Sequence, residues 1–332
     1  MDALKKLYVE PSSVCNLNCK MCFRSGWIDE KKELMSGKIW ENVLFSIPQC
    51  KDIETVMFAG MGEPLTHPKI FDMIKDASDL NVSVRLLTNG TMLDRSCTEK
   101  LIKNGLDMLW VSVDGFSKES YEKIQIGSRY DLIYNNLRYF SLNKEKCKLG
   151  ITFVIMKENE AELCRINDFA NRVGADEINL SFAVPSAPVK AEDTLYDSGI
   201  PVGKMKRTGN DTQKKRRLNF CPFIEEGAVF VKSNGDICPC MQLLHSSYTY
   251  LFEEKRVVMS HNFGNISENS LKYIWEGEQY AGFRKKVLDF EFPDCTLCDG
   301  CDDRLENNKD CMFNSFPTCG ACLWAQGAAR CP

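Results

Sequence analysis

The chain is 332 residues long, enough for a large core and more than one domain, and its formal net charge of −4 offers no basic surface for nucleic acid or an acidic membrane. It holds no run of about eighteen apolar residues and opens with no secretory signal, so no membrane span is expected and a cytoplasmic protein is. Seventeen cysteines would suit a secreted disulfide scaffold only in a much smaller chain; here they point to metal, and thiolate-bound iron and sulfur want a reducing, anaerobic setting.

Lys6 to Glu10 reads as a short strand that Pro11 ends. A loop with Cys15, Cys19 and Cys22 follows. Ser36 then caps a helix that carries Ile39, Val43, Leu44 and Ile47 on one face. Thr55–Phe58 is a strand, 70–80 a helix, and 82–87 a strand that stops at the turn Thr88-Asn89-Gly90. A helix runs to Gly105, which suits a C-terminal cap, and 108–113 is a strand. Helical stretches over 117–124 and 129–143, a strand over 148–155, a helix over 160–173 and a strand over 177–182 complete the pattern. Six rounds of strand and helix imply a parallel sheet covered by helices, with its chemistry on the loops at the carboxyl ends of the strands. Residues 185–219 break the alternation with Pro185, Pro188 and Pro201 and the basic clusters 204–207 and 214–217, so a linker or long surface loop is expected there. The expected domains are 1–184, the linker 185–219, and a cysteine-rich region 220–332.

The first strand-end loop carries Cys15-x3-Cys19-x2-Cys22, with Phe23 directly after. Three thiolates can bind three irons of a four-iron, four-sulfur cube, whereas closed cubes take four cysteines. One iron is then left open. The spacing resembles the radical S-adenosylmethionine (radical SAM) superfamily. That resemblance implies an α/β fold with a partial, TIM-like (β/α)6 barrel. It also implies a [4Fe–4S] cluster on Cys15, Cys19 and Cys22 whose open iron binds the amine and carboxylate of SAM, and reductive cleavage of SAM to a 5′-deoxyadenosyl radical. The competing reading is a zinc site or three buried thiols, but zinc usually takes two Cys-x2-Cys pairs and only one is local here.

The other strand ends should hold SAM. Met61-Gly62-Glu63 stands where the family has Gly-Gly-Glu, so Gly62 and Glu63 are expected at the amino group of SAM. Asn89 is expected to line the site in its turn, and the resemblance places Ser112 and Asp114 near the ribose. Arg24 is a candidate for the SAM carboxylate or a substrate anion, and Trp27 for packing or a lid. His67, His245 and His261 form no ligand pair and are expected on the surface or as caps; Cys50, Cys97, Cys147 and Cys164 are expected to pack in apolar surroundings.

Ten cysteines crowd the last third of the chain, and Val229–Val231 with the stretch after Gly235 reads as a small hairpin. Cys221-x13-Gly235-x4-Cys240 is similar to the opening of the SPASM domain, which carries auxiliary iron–sulfur clusters in many radical SAM enzymes. Cys221, Cys240, Cys295, Cys298, Cys301, Cys311, Cys319, Cys322 and Cys331 are the ligand candidates for one or two such clusters, and Cys238 is the first candidate for a non-ligand. Zinc knuckles on Cys295-x2-Cys298 and Cys319-x2-Cys322 are the alternative.

Cys-Lys-Met-Cys-Phe-Arg-x2-Trp, Gly-Met-Gly-Glu-Pro-Leu and Cys-Leu-Trp-Ala-Gln-Gly-x3-Cys-Pro resemble the maturases of tungsten-dependent oxidoreductases or their cofactor. A ribosomal-peptide modifier that forms thioethers or epimers is the second reading, although only fourteen residues precede Cys15 to bind a leader. An anaerobic sulfatase maturase would carry aspartate where this chain has Met241. A non-catalytic cluster or metal carrier is the reading from another class. The expected partners are SAM, an electron donor such as ferredoxin or flavodoxin, and a protein, peptide or cofactor substrate, with no nucleic acid and no membrane.

Overall fold

The computed structural model describes residues 3–28, 31–185, 203–206, 219–251, 253–298 and 300–326. Most of the expected linker therefore lies outside the described residues, as does Cys331.

Strands β1 (Lys6–Val9), β2 (Thr55–Phe58), β3 (Ser83–Thr88), β4 (Met108–Ser112), β5 (Lys148–Ile155) and β6 (Glu177–Phe182) pair in parallel, each beside its neighbours in sequence. Between them run α1 (Gly37–Ser46), α2 (Ile70–Ser78), α3 (Arg95–Lys103), α4 (Lys118–Ile124), α5 (Tyr130–Asn143) and α6 (Ile166–Val173). A consecutive strand order with right-handed crossovers puts the helices on one face, and the twisted sheet curls away from them into a partial barrel. On the helix side Leu7, Val9, Val56, Phe58, Val84 and Leu86 are fully buried in one core with Val43, Ile74 and Leu101. Each such side chain contributes roughly 1.5–3 kcal/mol. The Trp110 ring of β4 needs a glycine beside it on β5, because a Cβ on Gly150 would stand 2.3 Å from that ring.

The caps follow the side chains. Ser36 Oγ accepts from the Ile39 amide at 3.3 Å, an N-cap of about 1 kcal/mol. Residues 160–165, expected as helix, form a tighter 3-10 turn before α6. There the Glu162 carboxylate accepts from the Phe116 amide and the Ser117 hydroxyl, which ties the turn to the loop after β4.

The expected linker contributes a strand, β7 (Gly203–Lys206), antiparallel to β6. Beyond it come α7 (Pro222–Glu225), β8 (Ala228–Val231), β9 (Ile237–Cys238), β10 (Ser247–Leu251), β11 (Glu254–Val258), α8 (Leu271–Glu276) and α9 (Glu278–Leu288). The expected hairpin forms as β8–β9, with Phe230 opposite Cys238. Its first strand also pairs in parallel with β1, from Lys6 beside Ala228 to Val9 beside Val231. The nine-stranded sheet thus runs β7-β6-β5-β4-β3-β2-β1-β8-β9. The cysteine-rich region begins as a continuation of the barrel's own sheet, and Ile274 and Trp275 share its core. Among the described residues no helix is long and apolar enough to cross a membrane.

Candidate functional site

The loop after β1 holds Cys15, Cys19 and Cys22, all half-buried. Burial, then the charges of Asp114, Cys22 and Cys15, pushes the Cys19 thiol far up. The Cys22 thiol is also raised by burial, against the pull of the Arg24 backbone amide and charge. The charge of Cys15 acts on both Cys19 and Cys22, so the three thiols share one small volume. The side-chain amide of Asn89 lies 3.8 Å from Cys15 Sγ and donates to Asn16 Oδ1 at 2.9 Å.

The carboxyl ends of β2, β3 and β4 surround this loop. Gly62 is pressed against the backbone of Ser12 and Ser13, and the Glu63 amide donates to the Val14 carbonyl at 2.8 Å. The Glu63 carboxylate is buried and turned into the chain, where it accepts from the amides of Leu65 at 3.0 Å and Asn89 at 2.7 Å and from the Thr88 hydroxyl at 2.7 Å. Burial raises its proton affinity while these donors lower it. Ser112 Oγ accepts from the Thr152 hydroxyl at 3.1 Å. Asp114 is fully buried; one oxygen accepts from the Val154 amide at 2.7 Å, and the other, Oδ2, has no partner. Burial lifts its carboxyl from 3.8 to about 7. Arg24 donates to the Leu17 carbonyl at 3.4 Å and lies over the Trp27 ring.

In the tail, Cys221, Cys240, Cys319 and Cys322 line one hollow, walled by Phe223, Phe283 and Trp324 among others. Burial lifts the Cys221 thiol to about 12 and those of Cys240 and Cys319 well above the ordinary value, with the neighbouring thiols adding to each. A second group gathers at Cys295, which burial and then Cys311, Asp310 and Cys298 raise to about 11. Cys301 caps the turn Asp302–Leu305 nearby in sequence. Cys238 lies on β9 outside both groups: after burial, the charges that act on it are Asp236, Lys232 and Glu10.

These donor sets fit clusters. A single zinc ion draws its thiolates to about 2.3 Å from one centre, whereas a closed iron–sulfur cube spreads four of them round its corners. Four thiols round an apolar hollow suit a larger body. The unpartnered Asp114 oxygen beside the Cys19 loop is the kind of buried acceptor that a hydroxyl-bearing ligand satisfies.

Several expectations are corrected. His67 and His245 are buried rather than on the surface. His67 does cap, since its Nδ1 accepts from the Lys69 amide at 3.2 Å, while Nε2 meets the Met35 carbonyl at 2.9 Å. His245 Nε2 meets both oxygens of fully buried Glu10, at 3.0 and 3.1 Å, and its ring stacks on Trp27 with centroids 4.2 Å apart. His261 stands edge-on between Phe263 and Phe316. Cys97 and Cys147 are buried and Cys50 half-buried, but Cys164 is exposed. Glu10 escaped the sequence reading although its place, at the carboxyl end of the first strand, was a signal; nothing local marks His245 as its partner. Through Trp27, Ile28 and Ser246 the cysteine loop is joined to the tail, with the Ile28 amide donating to the Ser246 carbonyl at 3.0 Å.

Comparison with known proteins adds the following. Residues 9–170 match the model of the radical SAM superfamily, and residues 221–302 that of the SPASM iron-sulfur cluster-binding domain. The chain is 28% identical over 348 residues, 99% of its length and 97% of the relative's, to a Pyrococcus furiosus protein named tungsten-containing aldehyde ferredoxin oxidoreductase cofactor-modifying protein. It is 26% identical over 180 residues to an AdoMet-dependent heme synthase of Methanosarcina barkeri, of which it spans 50%. Among solved structures, BtrN in complex with AdoMet and 2-DOIA has a TM-score of 0.54 at 16% identity, with 91% of this chain and 94% of that one covered. Native anSMEcpe with bound AdoMet has a TM-score of 0.61 at 19% identity, with 89% and 86% covered. Streptococcus suis SuiB bound to S-adenosylmethionine likewise reaches 0.61 at 19% identity, with 90% and 71% covered. At such identities the solved structures bear on the fold.

Proposed function

Because the chain belongs to the radical SAM superfamily and carries a SPASM iron–sulfur domain, we propose that it cleaves SAM reductively in the maturation of a tungsten-dependent oxidoreductase or its cofactor. The observation that carries the tungsten reading is the match to the Pyrococcus furiosus protein over nearly the whole of both chains.

A four-iron cluster with one open iron would supply, when bound, the electron for reductive cleavage of SAM to methionine and a 5′-deoxyadenosyl radical able to take a hydrogen atom from the substrate. Cys15, Cys19 and Cys22 are assigned as the thiols that hold that cluster. Cys19 and Cys22 must each give up a proton that burial favours keeping, so loading releases protons and is easier at higher pH. Arg24 favours the Cys22 thiolate by its charge. Asp114 Oδ2, Ser112 and Asn89 are assigned to the hydroxyl-bearing part of SAM, and the backbone at Gly62 and Glu63, docked on residues 12–14, to its amino-acid part. The buried Glu63 carboxylate holds that loop to the end of β3.

Residues 1–184 are assigned to SAM cleavage and 220–332 to auxiliary clusters, with 185–219 between them. We assign Cys221, Cys240, Cys319 and Cys322 to one auxiliary cluster, on the strength of their shared hollow. Cys295, Cys298 and Cys311 go to a second, and Cys301 goes with them by its place three residues after Cys298. The reductant is a ferredoxin or flavodoxin, and the compartment a reducing cytoplasm.

The test is co-expression of a tungsten-dependent aldehyde oxidoreductase with this chain or with its Cys15/Cys19/Cys22→Ala form under anaerobic conditions. The reading expects the mass of the oxidoreductase's extracted cofactor, and its activity, to change only with the intact chain. The same cofactor mass and activity without the chain would remove the tungsten assignment and leave the SAM chemistry standing.

A further inference from the structure

Arg256 sits on β11 opposite Thr249 of β10, at an inward position of the strand's alternation. It is 4% exposed. Its Nε donates to the Arg304 carbonyl at 3.1 Å. Among the described residues no carboxylate forms an ion pair with it. The nearby acids are engaged elsewhere: Glu254 pairs with Arg304, and Asp310 accepts from the amides of Met312 and Asn314 at 3.0 Å each. Burial works against its charge, and the groups whose charges offset that are Cys322, Cys295 and Cys319.

Those three thiols come from both tail groups. Cys319 and Cys322 line the hollow with Cys221 and Cys240; Cys295 belongs with Cys298 and Cys311. The two groups meet across Gly320, whose carbonyl accepts from the Cys295 amide at 3.3 Å. A Cβ on Gly320 would lie 2.9 Å from Cys295 Sγ. A guanidinium stays ionised inside a protein, and burying one without an anion is strongly unfavourable. A four-iron cube on four thiolates is an anion, and one-electron reduction makes it more negative.

We propose that Arg256 is the shared counter-charge of two auxiliary clusters and that it raises the reduction potential of both. This rests on the assignment of the eight tail thiols given above. A cation held beside a cluster stabilises its reduced form over its oxidised one, because reduction adds one negative charge next to the guanidinium. Arg256 is a tuning residue and touches neither SAM nor substrate.

The experiment uses the anaerobically reconstituted full-length protein and its Arg256→Met and Arg256→Lys variants, with EPR-monitored redox titration. The N-terminal cluster, identified by the change in its signal on adding SAM, is the internal reference. In the Met variant both auxiliary midpoints fall by at least a tenfold change in the reduction equilibrium, about 59 mV for one electron, while the reference holds still. The Lys variant recovers at least half of that fall. Unmoved auxiliary midpoints in the Met variant, a shift of only one of the two, or a Lys variant as low as the Met variant would each overturn the proposal. Should the Met variant lose iron, a Lys variant that keeps its iron and its midpoints upholds the role of the charge; equal loss in both overturns it. The thiol assignment is tested separately by the wild type's iron content, about twelve per chain for three clusters and about eight for two.

Discussion

The side-chain amide of Asn89 lies 3.8 Å from the sulfur of Cys15, and the backbone amide of the same asparagine is held at 2.7 Å by the buried carboxylate of Glu63. The end of β3 thereby presents a fixed N–H to a thiol of the cysteine loop. A donor aimed at a cluster sulfur stabilises the reduced, more negative state. Asn89→Ala should keep the iron and lower the midpoint of the N-terminal cluster. A hydrogen bond of about 0.5–1.5 kcal/mol corresponds to roughly a twofold to tenfold change in the reduction equilibrium, read by EPR titration. An unchanged midpoint would show that the contact does not act on the cluster.

Gly62 is where the loop after β2 touches the run-up to Cys15. A Cβ there would stand 2.2 Å from the Ser12 carbonyl oxygen and 2.6 Å from the Ser13 carbonyl carbon, both backbone atoms. Gly62→Ala should destabilise the fold by about 1–3 kcal/mol and weaken SAM binding about tenfold or more by displacing residues 12–14. Gly282, inside α9 with nothing within 4 Å of its would-be Cβ, is the control. Gly282→Ala should be neutral or stabilise by about 0.5–1 kcal/mol. Denaturation midpoints and equilibrium dialysis with SAM measure both.

Asp114 gives a pH dependence. Burial raises its carboxyl from 3.8 to about 7 in the folded chain. A raised folded value favours the protonated form, so its contribution to stability is complete below about 3.8 and is lost as pH rises through about 7. Each unit of separation corresponds to about 1.4 kcal/mol. Between pH 5 and pH 8, roughly the upper part of that window, wild type should lose stability relative to Asp114→Asn in anaerobic denaturation. Parallel curves for the two proteins would count against the buried neutral carboxyl.

The six strand–helix rounds were legible because each strand is a short apolar run and most turns carry their own chemistry. Thr55–Phe58, Lys148–Ile155 and Glu177–Phe182 appear with the bounds that the sequence suggests. The Ser36 cap was legible for the same local reason. What depends on distant pairing was not. Nothing in Ala228–Val231 says that it will join β1, more than two hundred residues earlier in the chain. The hairpin was visible and its edge was not. Spacing likewise linked Cys319 and Cys322 to each other, but only the fold sets them beside Cys221 and Cys240. The motif marks Glu63, but only the fold shows that three donors from two strand ends converge on its carboxylate. Arg256 lay beyond sequence reading altogether: an arginine in Glu254–Val258 looks like any solvated strand residue until the burial around it is known.

The central claim is that Cys15, Cys19 and Cys22 together hold the centre that cleaves SAM. The most direct measurement is 5′-deoxyadenosine formed by the anaerobically reconstituted protein with dithionite and SAM, compared with the same protein carrying Cys15, Cys19 and Cys22 all replaced by alanine. The account predicts steady product from the first and none above background from the second, with the second still holding the iron of its tail clusters. Equal product from both proteins would contradict it.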